Sequence, residues 1–356
     1  MKRREQYGIM IIELMIGLVI GLLTVLAITV VLSVSEGQRR ATMAGEDAQV
    51  SGTLALHTLQ QDIKQAGYGL AANPAALGCP VTGQQVGGVN PPALLAPVVI
   101  TNGANGMPDT LQMLSSSKGF SSVPLFVTEN HGPSLTAFTV RSSYSVAAND
   151  WLVAVPEAWA AGTNQCAFFQ ATAVNTTPNV PWTSIGHADL STYSPTAGYP
   201  AKSFLVNLGP RIDRRTYSVS ANNMLQVAEF GGVARDVYPE IVNLQAFYGK
   251  DTTGDGVIDT YDTTTPTTSA GWRQVLAIRL ALVARSTQFE KENVSAASNV
   301  EWDVGTAVAV AGTANCTNGN GSQCLQIKVD HLPDWQRYRY KVFDTLIPLR
   351  NILWNS

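Results

Sequence analysis

The sequence predicts an α+β protein: one long N-terminal helix packed on an antiparallel β-sheet that carries large, loop-rich β insertions. Three patterns point there. From Ile9 to Val34 almost every residue is apolar, about 26 residues, which at ~1.5 Å rise each crosses a hydrocarbon core of ~30 Å. Beyond it, Leu56, Leu59, Ile63, Ala66 and Leu70 recur at three- and four-residue steps, the signature of a helix with one apolar stripe. Late in the chain, segments 241–248, 273–285 and 336–346 alternate apolar and polar residues with the period of two that marks strands.

The N-terminal run has an unusual order. Lys2, Arg3 and Arg4 precede it and hold that end on the cytoplasmic side. Glu13 is the sole ionisable side chain inside it. A carboxylate at the centre of a membrane helix costs on the order of 2.5–3.5 kcal/mol, so it marks a functional position with a partner. In a secretory signal the small-residue cleavage site follows the apolar stretch. Here Gly8 precedes it, so a cut after Gly8 removes the basic leader and keeps the helix. Gly8, Ile9 and Glu13 in this order resemble the class III signal of type IV prepilins and of type II secretion pseudopilins. That resemblance implies cleavage after Gly8 by a prepilin peptidase, methylation of Ile9, where Phe is more usual, and a role for Glu13 in assembly.

From 41 to 66 there is no proline, and good helix formers continue the same helix. Gln60, Gln61, Asp62 and Lys64 take the face opposite the apolar stripe, and Gly67 and Gly69 supply the stop. The stretch QDIKQAGY at 61–68, followed by Gly78 and Cys79, is similar to the pilin family called PilW. From 71 to 235 short β-type runs alternate with Gly, Pro, Asn and Ser. The best strand candidates are Val98–Thr101, 110–114, 135–140, Trp151–Val155, 167–174 and 202–208, with a hairpin of 216–219 and 224–227. In 241–248, Val242, Leu244, Ala246 and Tyr248 share one face. In 273–285, Leu276, Ile278, Leu280 and Leu282 share one face against Arg279 and Arg285. Both read as half-buried strands covered on one side by the N-terminal helix. In 336–346, Tyr338, Tyr340 and Val342 alternate with Arg337, Arg339 and Lys341, closing the sheet. The strings LQAFYGKDTTGDGVIDTY, VLAIRLALVARS and RYRYKVFDTLIPLRN also resemble the C-terminal core of PilW proteins.

One stretch has the spacing of a metal loop. Set against an EF-hand loop, Asp251, Thr253 and Asp255 fall at positions one, three and five, and Gly256 at the turn. Val257 falls at the backbone-carbonyl position, Asp259 at nine and Asp262 at twelve. Such a loop offers Ca²⁺ the oxygens it needs, although Thr253 is neutral and Asp262 is shorter than the usual closing Glu. The same residues also make a solvated Asp-Gly turn between two strands.

The rest of the composition excludes more than it assigns. The chain has 356 residues, a net charge of −3 and 14% charged residues, with Lys and Arg scattered, so no nucleic-acid surface is expected. The histidines, His57, His131, His187 and His331, stand apart in sequence with no zinc spacing. There is no nucleophile elbow, P-loop or dinucleotide fingerprint, and no enzyme is expected. Cys79, Cys166, Cys316 and Cys324 form an even set that suits disulfides in an exported domain. Cys316 and Cys324 flank a Gly/Asn-rich tract and would close a short loop. Cys79 with Cys166 is then the remaining pair, though four cysteines allow three connectivities.

The expected organisation is a leader at 1–8, a membrane half-helix at 9–35 and a periplasmic amphipathic half at 36–70. A loop-rich β region at 71–235 and a sheet core at 236–356 follow, the latter with a polar insertion at 290–323. The resemblance to PilW implies a pilin-like fold and a minor pilin of a type IV pilus, without catalysis. Such a protein helps to start pilus assembly near the tip, with other minor pilins and the major pilin as partners. It would wait in the inner membrane and then enter the extracellular filament. The rival readings are a type II secretion pseudopilin, or a membrane-anchored exported binding protein or enzyme whose activity lies in 71–235.

Overall fold

The structure, a computed structural model, describes residues 11–70, 72–119, 123–159, 162, 165–176, 183–306, 308, 310 and 312–353. Helix α1 runs unbroken over Ile11–Gln65, 55 residues, or ~80 Å at the α-helical rise. It stops where expected: Gly67 and Gly69 adopt φ of 79° and 78°, and the Gly67 N–H turns away to the Leu114 carbonyl at 2.8 Å. The span Ile11–Gly37 is long and apolar enough to cross a membrane and buries nothing within the chain. Thr24 and Thr29 donate their hydroxyls back to the Gly21 and Val25 carbonyls, so neither presents an unsatisfied O–H there.

The far half of α1 packs on an antiparallel sheet whose strand order is Thr260–Asp262, Ile241–Lys250, Val275–Arg285, Tyr340–Pro348. Ala55, Leu59 and Ile63 from the helix meet Leu244, Ala246, Tyr248, Ile278, Leu280 and Leu282 in the main core. Each fully buried Leu or Ile there contributes about 1.5–3 kcal/mol of transfer free energy. At Gly52 the helix comes close to the sheet, since a Cβ at that position would run into the Phe343 ring.

The two central strands are buried on both faces, not one. A small sheet of Asn299–Gly305, Gln323–Lys328 and Thr313–Asn315 covers the side away from α1. It packs Trp302, Val304, Leu325 and Ile327 on Phe247, Ala281 and Val283. Two of these strands lie within 290–323, expected to be a polar insertion. Val242 departs from its expected face as well. A β-bulge between Ile241 and Asn243 slips the register by one residue, so Ile241 joins Leu244 toward the helix and Val242 turns to the small sheet. Leu276 is likewise only partly buried, and Val275 takes the core position.

A second antiparallel sheet, Arg235–Pro239, Met224–Glu229, Ile212–Val219, Thr110–Ser116, Val98–Thr101, flanks α1 and includes the expected hairpin. The remaining strands build the insertion. Its main sheet is Val81–Gly83, Cys166–Gln170, Trp151–Val155, Phe204–Gly209, Leu125–Phe126, antiparallel except for the first pair. That parallel pair starts at Val81 opposite Cys166, where the Cys79–Cys166 disulfide fixes the approach. A three-stranded sheet of Ala137–Val140, Thr183–Gly186 and Ala173–Thr176 folds over it and encloses a separate core around Phe138, Phe169 and Tyr199. The expected strand 167–174 is thus two strands, broken at Ala171 and Thr172. Arg273 belongs to a short helix, Ser269–Arg273. Residues 335–337 form a 3₁₀ turn, and the closing strand begins at Tyr340.

Candidate functional site

Two regions carry the residues singled out by sequence: helix α1 with its docking face, and the aspartate loop. Gly8 and Ile9 lie outside the described residues. Glu13 stands in the first turn of the described helix, exposed on its surface. Further along, the face of α1 opposite the core keeps apolar residues in the open: Met43, Val50 and Leu54 are all about half exposed or more. Spaced seven and four residues apart, they form one stripe that continues the membrane span outward.

The polar face assigned to solvent does more than meet water. The Asp62 carboxylate accepts from Arg215 Nη1 and from the Tyr217 hydroxyl, both at 2.6 Å. Burial, and then the bond to Asp62, raises the Tyr217 pKa, while the bond to Asp62 raises that of Arg215. Thr58 Oγ1 lies 2.6 Å from the Tyr238 hydroxyl, and Asn351 donates to the last carbonyls of the helix, Gln65 at 3.2 Å and Ala66 at 3.0 Å. Nothing in the local pattern around Asp62 announces a partner 153 residues away.

In the aspartate loop the chain wraps back on its first carboxylate. Asp251 accepts N–H bonds from Thr253, Gly254 and Gly256 at 3.1, 2.5 and 2.7 Å. Gly254 and Gly256 both hold φ of 82°, which allows the wrap. Asp259 accepts from the Thr252 and Thr253 N–H groups at 2.7 and 3.0 Å. Asp255 accepts from Val257, whose side chain is exposed. Burial pushes the Asp251 carboxyl up, but the N–H bonds outweigh it and its pKa is lowered. The Asp259 pKa is lowered chiefly by its bonds from Thr252. Asp262 faces elsewhere: it sits in a strand and grips Lys250 Nζ at 2.7 and 2.8 Å. So the loop keeps the order of a calcium loop, while its closing ligand is tied to an ammonium. Among the described residues, the one group of three metal-type ligands within 4.8 Å is Asp303 with Cys316 and Cys324. Those two sulfurs are spent in a disulfide.

Both disulfides, Cys79–Cys166 and Cys316–Cys324, are formed. A further pairing was invisible in the sequence. His131 and His187 meet in the insertion core, Nε2 to Nε2 at 3.0 Å, buried against Phe138 and Phe169. His187 Nδ1 lies 2.7 Å from the Ala188 carbonyl, which only accepts, so that nitrogen carries the proton. His187 Nε2 must then accept from His131, which leaves His131 Nδ1 bare and without a partner. Burial, with the neighbouring His187, lowers the His131 pKa to about 4, and burial lowers that of His187.

These features define a class: a protein in which a helix long and apolar enough to cross a membrane, Ile11–Gly37, continues into a β-rich head and is clamped there by the C-terminal sheets. The head carries a particular family domain. Residues 212–351 match the PilW family model, described as type IV Pilus-assembly protein W. No curated protein and no solved structure matches the chain. The matched region holds Arg215, Tyr217, the aspartate loop and both central strands, whereas the insertion before residue 212 falls outside it.

Proposed function

We propose that this chain is a minor pilin that helps to start assembly of a type IV pilus and lies near its tip. The observation that carries the reading is the union of the PilW match over 212–351 with a helix that leaves its whole apolar span, Ile11–Gly37, uncovered within the chain. Such a helix is covered first by lipid and then by the helices of neighbouring subunits, and Met43, Val50 and Leu54 extend that contact beyond the membrane. In this reading a prepilin peptidase cuts after Gly8, and the new amine of Ile9, on its own or a neighbouring subunit, neutralises Glu13. Assembly proceeds by helix packing, and no reaction is catalysed.

The test is recovery of the tagged chain from membranes, together with piliation of cells carrying Glu13→Ala. The reading expects other pilin-type subunits to come down with the wild type. It expects Glu13→Ala to insert normally and lose most of that recovery. Full piliation by Glu13→Ala at native expression, or recovery of the wild type without any pilin-type subunit, would overturn it.

A further inference from the structure

The insertion carries a groove that assembly by α1 does not use. Between the segment at Asn73 and Ala75 and the edge of the insertion sheet lies a hollow of ≈ 700 Å³. Its floor is apolar and buried, formed by Val127 and Phe204. The lining residues Arg141, Glu157 and Lys202 are exposed at its rim. A second hollow of ≈ 320 Å³ shares the Phe126 and Arg141 wall and reaches Tyr144. Two aromatic rings therefore stand open along one track, Phe126 at 53% exposure and Tyr144 at 89%. Domains seldom leave rings so uncovered side by side without something to cover them.

Charge narrows the occupant. The Arg141 guanidinium and the Lys202 ammonium have no hydrogen-bond or ion-pair partner among the described residues. Lys202 also holds φ at 80°, a conformation that a side-chain-bearing residue adopts at a cost and that tends to accompany function. Several of the wall's main-chain groups, by contrast, are already paired: Val127 N–H donates to the Ser203 carbonyl, Lys202 N–H to that of Val127, and Arg141 N–H to that of Phe126. Those bonds take up groups that an extended peptide would need for strand pairing along this wall. A fatty acid would suit the floor but leave Phe126 and Tyr144 uncovered at the surface. Sugar rings have an apolar face that stacks on an aromatic ring and polar edges that reach a charged rim.

We propose that this groove binds an acidic oligosaccharide, its rings on Phe126 and Tyr144, its carboxylates on Arg141 and Lys202, and a hydroxyl toward Glu157. The proposal is independent of the pilus reading. The test is calorimetric titration of the full chain in detergent with tetragalacturonate and sialyllactose. Maltotetraose and lactose serve as neutral controls, and decanoate as an anion without rings. At least one acidic sugar should bind saturably, tenfold or more tighter than its neutral control. Phe126→Ala and Arg141→Ala should each weaken it tenfold or more. Lys202→Gly removes the charge while easing the left-handed backbone, so it should bind several-fold more weakly with a melting temperature equal or higher. Binding by neither acidic sugar, equal binding of the neutral controls, binding of decanoate alone, or unchanged affinity in Lys202→Gly and Arg141→Ala would each overturn the proposal.

Discussion

Asp62 Oδ1 on α1 lies 2.6 Å from Arg215 Nη1, on a strand that begins the family-matched region. The Tyr217 hydroxyl completes the clamp from the same strand. Together with the apolar contacts of Leu59 and Ile63, it fixes how the helix leaves the head. Arg215 is 40% exposed, so solvent screens the ion pair and the buried Tyr217 bond carries more of the value. Asp62→Ala should cost about 1–2 kcal/mol and lower the melting temperature by about 2–5 °C. Asp62→Asn, which keeps one acceptor, should lose less. A melt of Asp62→Ala that overlays the wild type would show the clamp to be incidental.

Gly52 and Phe343 make a sign-reversing test. Alanine in place of a helical glycine gains up to about 1 kcal/mol from propensity alone. Here the new Cβ would meet the Phe343 ring, so Gly52→Ala should instead destabilise by about 1–2 kcal/mol. In a Phe343→Ala background the same change should stabilise. A double-mutant cycle on melting temperature reads this directly. The same sign in both backgrounds would mean that the ring simply moves aside.

For the aspartate loop we propose that Ca²⁺ binds between Asp251, Asp255 and Asp259, completed when Asp262 leaves Lys250. The ammonium competes for the closing ligand, so Lys250→Met should strengthen calcium binding although it breaks an ion pair. Stabilisation follows RT ln(1 + [L]/Kd), ~2.7 kcal/mol at a hundredfold excess over Kd. Melting curves in calcium and in chelator should therefore separate more widely for Lys250→Met than for the wild type, and Asp255→Ala should close the gap. Coincident curves in all three would leave a turn held by its own N–H bonds.

The histidine pair should make the insertion acid-labile. Its two folded pKa values lie below the ordinary 6.5, His131 at about 4. The unfolded chain thus binds more protons below pH ~6.5, and the pair's contribution, complete above that value, is lost as pH falls toward ~4. Tyr199, Phe138 and Phe169 pack around the pair, and Asp189 is the charged group beside it. Asp109 runs the other way. Burial raises it to about 7 against two N–H bonds, so its proton favours the folded state in the same range. The histidines should dominate the local loss, on the order of 2 kcal/mol. Local opening of 123–205, read as a loss of hydrogen-exchange protection corrected for the intrinsic pH dependence of exchange, should rise between pH 6.5 and 4 in the wild type, and much less in the His131→Gln, His187→Gln double variant. An equal rise in both would assign the acid sensitivity elsewhere.

How much was legible follows from the range of each interaction. The apolar run, the stripe of Leu59 and Ile63, and the stop at Gly67 are set within a few residues, so periodicity and glycine chemistry by themselves determined helix α1. The hairpin and the central strands were equally local. The Cys316–Cys324 pair needed only eight residues of separation. Tertiary structure alone decided the rest. A single bulge beside Ile241 turned Val242 to the other face, because a one-residue slip inverts a two-residue period. The second cover on Phe247 came from strands inside a tract whose Gly and Asn hid a sheet. Asp62 with Arg215 and His131 with His187 are meetings of polar side chains across the fold, and Asp262 meets Lys250 on the strand beside it. No composition or spacing encodes them, since a polar residue looks the same in sequence whether water or a distant partner will satisfy it.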